Sequence, residues 1–386
     1  MKIINIGLGW FPEQPGGLDR YYYDCCKYLP QADINIKGLV TGSDRVVKDS
    51  HDRVRAFTSS EFSLTKRWLE MRKTFQQTLN SDRHDLVVSH FALYTFPILN
   101  KLSTLPLVTH FHGPWALESD LEKPKPVSIL LKKQIEKAVY NRSSQFIVLS
   151  QTFQDILHKE YRVPLDKIHI IPGGVDIDRF NIKISSTEAR EELGWHQDRP
   201  TIFCIRRLAK RMGLENLISA MAEVRDRNPD ISLYIAGKGA LAEILQAQIK
   251  ELKLTDNVKL LGYVSDEQLP ICYRAANFSV VPTVALEGFG LIVVESLAAG
   301  TPVLGTPVGG IPEILKPFSE DLVFEDYSPT KLAAGIIEAL SGDRILPSSQ
   351  DCLDYVKTNY DWHQIARQIK QVYQQAIDPK SLDRIF

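Results

Sequence analysis

Short apolar segments rich in β-branched residues alternate with longer amphipathic segments along most of this chain. This alternation limits the possible fold more than any other feature, because it is typical of a parallel sheet with helices on both faces. The predicted strands are residues 2–7, 34–40, 85–89, 107–111 and 145–149, then 201–205, 231–236, 258–263, 278–282 and 302–305. The sequence therefore predicts an α/β fold of doubly wound, Rossmann-like sheets.

The alternation is interrupted once, near the middle of the chain. Residues 170–180 read I-I-P-G-G-V-D-I-D-R-F, and the proline and two glycines mark the end of a domain and the start of a linker. A length of 386 residues suits two domains of roughly 150–200 residues. We therefore expect a first domain over residues 1–181 and a second over 182–362, with a long amphipathic helix at 361–377.

Composition excludes several classes of protein. The net charge of −1 argues against a general nucleic-acid-binding protein, although residues 1–181 carry four more basic than acidic residues. The five cysteines form no C-x-x-C pair, and adjacent Cys25 and Cys26 are poorly placed for a disulfide, so we expect a reducing, cytoplasmic compartment. No apolar stretch approaches the roughly 18 residues of a membrane span, and the N-terminus predicts a buried strand rather than a signal peptide.

The segment E-G-F-G-L-I-V-V-E-S-L-A-A-G-T-P, which begins at Glu287, carries the strongest chemical signal. A glycine-rich turn separates a strand from a helix predicted to start near Leu291. The N–H groups and dipole at such a helix start can bind phosphate. Glu287 in the turn and Glu295 in the helix could hold sugar hydroxyls at either end of a bound pyrophosphate. The alternative is that Glu287 caps the helix and Glu295 is solvated.

This segment resembles the signature of the retaining glycosyltransferases of family 4, in which two glutamates separated by seven residues lie within E-G-F-G-L…E-A-L-A-x-G-x-P-V. The resemblance extends over nearly the whole chain. It implies the GT-B fold, in which two Rossmann-like domains face each other across a cleft and the C-terminal helix, here residues 363–386, returns to the first domain. It also implies that Glu287 and the amides of Phe289, Gly290 and Leu291 hold the transferred sugar, and that Glu295 holds the ribose.

A basic loop follows the first strand of the second domain, in C-I-R-R-L-A-K-R-M-G-L. Cations there could stabilise the charge that develops on a leaving diphosphate; the alternative is a solvated loop. The family pattern is G-R-L-x-x-x-K-G, which Arg207 matches. Arg206 stands where glycine is usual, and Met212 stands where the phosphate-binding lysine is usual. We assign the role of that lysine to Arg211 rather than Lys210, and Arg206 is either an added phosphate contact or a surface residue.

Two features of the first domain complete the predicted site. Gly16 and Gly17 form a turn before the first helix that permits close approach of an anion, and the resemblance implies that this turn faces the donor; a plain tight turn is the alternative. In H-F-H-G-P-W, the family histidine beside the transferred sugar matches His112, whereas His110 should point into the sheet. We assign Trp115 to the acceptor side, together with Glu118.

Two further motifs are typical of other functions. Gly237 begins a G-x-G-x-x-A turn that a nicotinamide enzyme could use, but no well-placed acidic residue follows. The resemblance implies instead that Gly237 lies near the nucleotide, with the base near Val264. Asp176 and Asp178 form the D-x-D pattern of metal-dependent glycosyltransferases, yet they lie in the predicted linker. We interpret them as structural and expect no catalytic metal and no cofactor.

The sequence thus predicts a retaining hexosyltransferase that uses a nucleotide-sugar, with UDP-glucose as the leading donor and a saccharide or lipid-linked acceptor in polysaccharide synthesis. The alternatives are a GDP-mannose-dependent mannosyltransferase, an inactive sugar-nucleotide-binding protein and a nucleotide-linked dehydrogenase. Residues 64–76 and 123–142 are basic, and the first carries aromatic residues. They predict weak contact with anionic lipid at the inner face of the plasma membrane, against the alternative of solvated helices.

Overall fold

The computed structural model describes residues 1–11, 13–103, 105–122 and 126–378. The chain forms two compact units: unit 1 comprises Met1–Gly174 and the segment from Trp362, and unit 2 comprises Val175–Asp361. The first boundary lies seven residues before the one that the sequence predicted at 181/182. The reason is that the residues after Gly174 bond within unit 2, where the amide of Val175 donates to the carbonyl of Tyr360 at 2.9 Å.

Unit 1 is built on a seven-stranded sheet whose paired neighbours are all parallel, in the order β3-β2-β1-β4-β5-β6-β7. Its central strands are apolar and buried on both faces, as a sheet covered by helices requires. The strands are β1 Lys2–Ile6, β2 Asn35–Thr41, β3 Val54–Thr58, β4 Leu86–Ser89, β5 Leu107–Phe111, β6 Gln145–Val148 and β7 Ile168–Ile170.

The helices of unit 1 cover this sheet with apolar stripes. In the longest of them Met71 and Phe75, four residues apart, are fully buried in the core beside β1 and β4. The helices are α1 Gly17–Tyr28, α2 Arg45–Asp49, α3 Leu64–Ser81, α4 Ala92–Thr95, α5 Trp115–Glu122, α6 Pro126–Arg142 and α7 Gln151–Tyr161, with 3₁₀ turns at Leu29–Ala32, Phe96–Lys101 and Leu165–Lys167.

Unit 2 contains a five-stranded parallel sheet in the order β10-β9-β8-β11-β12. The strands are β8 Thr201–Ile205, β9 Ser232–Ala236, β10 Val258–Gly262, β11 Phe278–Val281 and β12 Val303–Gly305. The helices are α8 Ile177–Phe180, α9 Ser186–Leu193, α10 Leu214–Arg227, α11 Ala242–Glu251, α12 Leu269–Ala275, α13 Leu291–Ala298, α14 Ile311–Leu315, α15 Pro329–Ser341 and α16 Ser349–Asn359, with 3₁₀ turns at Lys210–Met212 and Glu320–Leu322. Helix α9 ends at Gly194, which adopts φ 64°.

The last helix, α17 Trp362–Ile377, belongs to unit 1, as the resemblance implied. The Trp362 ring stacks on Tyr28 with centroids 5.7 Å apart and planes 1° apart. Only a residue without a side chain fits beneath the indole at position 174, because a Cβ on Gly174 would lie 2.6 Å from it. These contacts fix the start of α17 against α1.

Strand order reverses once in each sheet, between β1 and β4 in unit 1 and between β8 and β11 in unit 2. In doubly wound sheets, ligands bind beyond the carboxyl ends of the strands at such a switch point. The residues that follow β4 and β5 in unit 1, and β8 and β11 in unit 2, are therefore where a site should lie.

Candidate functional site

The turn between β11 and α13 presents backbone donors. Gly290 is the N-cap of α13 with φ 97°, and no side chain caps the helix. Among the described residues no hydrogen-bond acceptor faces the amides of Phe289, Gly290 and Leu291. Three donors at the positive end of a helix form an arrangement that can hold a phosphate or a sugar oxygen. Glu287 is not the helix cap, so the alternative interpretation of this residue is wrong.

Glu287 instead forms an ion pair with Arg206, and the same guanidinium donates to the hydroxyl of Thr283. Arg206 follows β8 and Thr283 follows β11, so the pair lies at the switch point of unit 2. The two charged side chains are only 9% and 14% exposed. Arg206 is therefore not a surface residue, and its charge is directed at the carboxylate that the sequence assigned to the sugar.

Three glycines pack closely against the backbone of this turn and of the basic loop. The sequence predicted a role for only one of them, Gly237. A Cβ on Gly213 would lie 1.8 Å from the carbonyl oxygen of Pro282, and one on Gly309 would lie 1.9 Å from that of Glu287. A Cβ on Gly237 would lie 1.9 Å from the carbonyl oxygen of Arg206. Each of the three glycines also has a positive φ, so both the backbone conformation and the lack of space for a Cβ require glycine. Gly237 therefore supports the backbone of the basic loop, and its predicted role in nucleotide binding stays a prediction.

The basic loop places its cations differently. Arg207 and Lys210 are exposed, whereas Arg211 is half-buried and donates to the carbonyl of Leu286 at 2.9 Å. Met212, in the place of the usual lysine, is buried at 6% exposure. Arg211 thus reaches the residue before Glu287, which brings one cation of the loop to the turn even though the usual lysine is missing.

The remaining assigned residues of unit 2 lie on neighbouring elements. Glu295 is half-buried on α13, and the hydroxyl of Tyr273 donates to its carboxylate at 3.3 Å, so it is not simply solvated. Val264 is half-buried just after β10. Asp176 accepts from the amide of Arg179 at 3.2 Å and caps α8, which is the structural role predicted for the D-x-D pattern.

In unit 1 the predicted glycine turn lies at the start of α1, where Gly16 is the N-cap in an extended conformation and Gly17 is the first helical residue. The carboxylate of Asp19 already lies at this helix start and accepts from the amide of Gly9 at 2.9 Å. Burial raises the pKa of Asp19 to about 6, although the bond from Gly9 opposes this. This acid was not predicted from the sequence, and it places a titratable group beside the turn.

His112 follows β5 and is one of three neighbouring histidines. Its Nε2 lies 3.1 Å from Nδ1 of His90, which follows β4. His110 is buried, as expected, with Nδ1 3.3 Å from the Tyr21 hydroxyl and Nε2 2.8 Å from the Tyr373 hydroxyl. Burial lowers the pKa of His112 to about 3, and burial together with the neighbouring rings holds the pKa values of His90 and His110 well below the usual range. All three rings are therefore neutral at pH 7.

One nitrogen from each of the three rings lies within 4.8 Å of the other two, a spacing that a metal ion could use. A metal, however, must lie in the plane of each ligating imidazole, along the lone pair of its nitrogen. The three ring planes lie within 16–19° of parallel, and the centroids of His90 and His110 are 4.4 Å apart, so the planes do not converge on one point. The arrangement suits a hydrogen-bonded stack better than a metal centre.

The acceptor-side residues assigned by the sequence line a small cavity of about 50 Å³ beside the histidines. Trp115 and Glu118 border it, together with Glu136, which the sequence analysis did not single out. Glu136 accepts from the Tyr161 hydroxyl at 2.8 Å, and burial raises its pKa to about 7. This cavity therefore carries acidic groups next to neutral imidazoles.

In the predicted lipid-facing segment 64–76, Leu69 is 62% exposed, whereas Trp68, Met71 and Phe75 are not available to lipid. Met71 and Phe75 are in the core, and the indole of Trp68 donates to the carbonyl of Leu93 at 3.0 Å. On α6, by contrast, three apolar side chains near its start are 58–84% exposed: Val127, Leu130 and Leu131. Lys123 and Lys125, which the sequence analysis counted with this helix, lie outside the described residues. No helix in the described part of the chain combines the length and apolarity needed to cross a bilayer.

Solved structures define the class of fold. A sucrose-phosphate synthase from Thermosynechococcus elongatus superposes with a TM-score of 0.82 at 21% identity, covering 98% of this chain and 100% of that one. The Anabaena protein HepE, solved in complex with UDP and glucose, superposes with a TM-score of 0.80 at 21% identity, covering 97% and 100%. The two units thus have the GT-B fold of glycosyltransferases.

Family models and a curated relative identify the family. Residues 15–179 match the model described as glycosyltransferase family 4, and residues 185–359 match glycosyl transferases group 1. An uncharacterised glycosyltransferase of Methanocaldococcus jannaschii is 30% identical over 98% of this chain and 99% of its own length. This chain therefore belongs to the family 4 glycosyltransferases.

Proposed function

We propose that this glycosyltransferase moves a hexose from a nucleotide-sugar to a saccharide or lipid-linked acceptor with retention of anomeric configuration, and that UDP-glucose is its donor. The observation that carries the proposal is the switch point of unit 2, where Glu287, Arg206 and three backbone donors at the start of α13 meet. A carboxylate suits sugar hydroxyls, and the cations and N–H groups suit a diphosphate.

In this proposal the diphosphate lies against the start of α13, with Arg207 and Arg211 on the basic loop. Cleavage of the donor leaves negative charge on the outer phosphate, and preorganised donors stabilise that charge in the transition state. Glu287 holds the transferred sugar, and Glu295, further along α13, holds the ribose. The ion pair with Arg206 holds the Glu287 carboxylate in place at this edge.

Unit 1 supplies neutral groups in this proposal. His112 lies at the carboxyl edge of the sheet and is uncharged, so it can exchange hydrogen bonds with a sugar hydroxyl without adding charge. The glycine turn at Gly16 and Gly17 allows close backbone approach to the donor. The acceptor oxygen attacks the face that the diphosphate leaves, and its proton passes to the departing phosphate, so that the bond between the anomeric carbon and the phosphate oxygen breaks as a glycosidic bond to the acceptor forms.

Metal independence is part of the proposal, because Arg207 and Arg211 supply positive charge in the region where a bound metal would otherwise neutralise a diphosphate. Transfer should then survive EDTA. Complete loss of transfer in EDTA, restored by Mg²⁺ or Mn²⁺, would contradict this part and return attention to Asp176 and Asp178.

UDP is proposed as the nucleotide because HepE, a structural neighbour, was solved in complex with UDP and glucose. The test is a melting-temperature panel with UDP, GDP and ADP, since a ligand that binds only the folded state raises the melting temperature. The largest shift is expected with UDP. A larger shift with GDP would favour a mannosyltransferase, and a shift without transfer from any donor would leave a binding protein. NMR of the product then shows whether the anomeric configuration is retained.

We place the enzyme in the cytoplasm, where lipid-linked acceptors are met at the inner membrane face. In support, all five cysteines are buried as free thiols, and burial raises the pKa of Cys26 to about 12, which keeps it unreactive. The exposed apolar side chains at the start of α6, beside Lys132, Lys133 and Lys137, form the surface that suits such contact.

A further inference from the structure

We propose that His90 is a positioning residue for His112: its Nδ1 donates to Nε2 of His112 and thereby holds the His112 proton on Nδ1, so that His112 presents an N–H donor to the sugar. The inference rests on the proposed function only for the identity of the ligand. The assignment of the protons stands on the hydrogen-bond geometry of unit 1.

Strand pairing brings the two rings together. β4 and β5 are adjacent parallel strands in which Ser89 pairs with Thr109, so the residues that follow both strands emerge at the same edge of the sheet. Nδ1 of His90 and Nε2 of His112 are 3.1 Å apart, and the ring planes differ by 16°. This is hydrogen-bond geometry between nearly parallel rings, with one proton between two nitrogens.

The position of that proton follows from the other nitrogen of His90. In the described structure, Nε2 of His90 is buried and has no hydrogen-bond partner. If Nδ1 of His90 accepted, the proton of this neutral ring would lie on Nε2 as a buried N–H without an acceptor. If Nδ1 donates, Nε2 carries only a lone pair. Buried N–H groups without acceptors are rarer than under-satisfied acceptors, so we assign the proton to Nδ1 of His90.

The hydrogen bond from His90 determines which ring nitrogen of His112 can donate to a ligand. Because its Nε2 accepts from His90, the single proton of neutral His112 lies on Nδ1. His112 is half-buried and lines the small cavity, and within the described residues its hydrogen bond to His90 is the one that the ring makes. A ligand at this edge therefore meets a neutral N–H donor, which suits a hydroxyl oxygen of a sugar. The hydrogen bond made by one ring nitrogen thus decides the chemistry of the other.

The direct test is ¹⁵N NMR of the full-length protein labelled at histidine, in which two-bond proton correlations distinguish the two neutral tautomers. The chain has nine histidines, so the signal of His112 is assigned by its loss in His112→Gln. We expect the Nδ1–H form in the wild type and in His90→Asn, whose amide N–H can take the place of Nδ1–H. We expect His90→Phe, which has no donor, to shift His112 toward the Nε2–H form or a mixture. An Nε2–H form in the wild type would overturn the proposal.

Kinetics provide the second readout. His90→Phe should lower kcat by about tenfold or more with little change in the KM for the donor, and His90→Asn should restore most of kcat. His169→Gln is the matched control, because His169 is a half-buried histidine of unit 1 whose Nε2 bonds Gln145 at 2.9 Å, away from the His90–His112 pair. Equal kcat in His90→Phe and wild type would overturn the positioning role. If the wild type transferred no sugar, the proposed function would fail, yet the NMR experiment would still decide the tautomer.

Discussion

The carboxyl edges of the two sheets differ in charge. In unit 1 the residues after β4 and β5 are neutral imidazoles packed among aromatic rings, with Tyr21 4.9 Å from His112 between ring centroids. In unit 2 the corresponding edge holds an arginine, a glutamate and unoccupied backbone amides within the described turn. Both edges lie at the switch point of a doubly wound sheet, so the same topology supports two different kinds of chemistry.

The difference in charge suits the two edges to different ligand groups. Neutral donors and acceptors can orient hydroxyl groups without a charged partner, whereas a diphosphate needs cations and backbone amides to balance its negative charge. Burial enforces neutrality in unit 1, since it is the largest cause of the lowered pKa values of all three histidines. In unit 2 the charge of Arg206 is compensated by Glu287. We therefore expect function to depend on charged side chains at the edge of unit 2, and we expect a charge at the edge of unit 1 to be unfavourable.

The largest effect is expected at Glu287. Glu287→Ala should lower kcat for transfer by about 10³-fold, because it removes the sugar contact and leaves the charge of Arg206 without its carboxylate. Glu295→Ala should instead weaken nucleotide binding, measured by calorimetry with UDP. Glu243→Ala, an exposed acid on α11, is the control. Negligible changes in both glutamate variants would remove the assignment of these residues to the donor.

The next effect is expected in the basic loop. Arg211→Ala should lower kcat/KM for the donor by about 10²-fold or more, because Arg211 both supplies charge and holds the Leu286 carbonyl. Lys210→Ala, which changes an exposed neighbour, should cost much less. Steady-state kinetics with the donor varied distinguishes the two. If Arg211→Ala behaves like Lys210→Ala, the charged edge of unit 2 depends on Arg206 and Arg207.

A smaller effect concerns charge in unit 1. The folded pKa of Asp19, about 6, lies above its ordinary value of 3.8, so the folded state retains a proton that the unfolded chain has lost. The contribution of Asp19 to the stability of wild type should therefore fall as pH rises from about 4 to 6, whereas the lowered pKa values of the three buried histidines act in the opposite direction, so the contribution is isolated by comparison with a variant. Asp19→Asn keeps an acceptor for Gly9 and removes the charge.

This variant should therefore be more stable than wild type at pH 8 by about 1–2 kcal/mol, with a smaller difference at pH 5. Urea unfolding followed by tryptophan fluorescence measures it, since four of the five tryptophans lie in unit 1. The same difference at both pH values would show that Asp19 does not titrate in this range.

The smallest effect concerns the membrane. Wild type should co-sediment weakly with anionic vesicles at low salt and less at high salt, and less with neutral vesicles, because each basic residue near the surface contributes about 1 kcal/mol. A Leu130→Glu/Leu131→Glu variant should lose this binding several-fold. Leu165→Glu, at a leucine of unit 1 that is 50% exposed outside α6, is the control. Equal sedimentation with both lipid types would remove the membrane contact from the proposal.

Much of the fold follows from the sequence because the central strands are buried on both faces. β5 and β8 were predicted to the residue, since their apolar runs are bounded by polar or turn-forming residues. β3 and β7 were missed. Both are edge strands with exposed positions, at Arg55 in β3 and Ile170 in β7, and their apolar pattern is correspondingly short.

The site was predictable where a local motif carries it and not where distant residues meet. The E-G-F-G-L segment indicated Glu287, but its partner Arg206 is 81 residues away and stands where the family has glycine. Hydrophobic spacing could have corrected the interpretation of α3, because Met71 and Phe75 follow the four-residue spacing of a core stripe. His90 was missed because it lies in no recognisable motif. Asp19 was missed although it lies two residues after Gly17, because only the fold brings its carboxylate to the amide of Gly9.

The return of α17 to unit 1 has a consequence for biosynthesis. Unit 2 is inserted between the two parts of unit 1, so a ribosome makes all of Val175–Asp361 before the residues that complete the first unit. Until then Tyr28 lacks the ring that stacks on it, and His110 lacks the hydroxyl of Tyr373, 263 positions later in the chain. At roughly 5–20 residues per second, the nascent first unit waits for tens of seconds with that surface uncovered. Unit 2 can therefore finish folding first, and the contacts of α17 with His110 at the carboxyl edge of the unit 1 sheet form last.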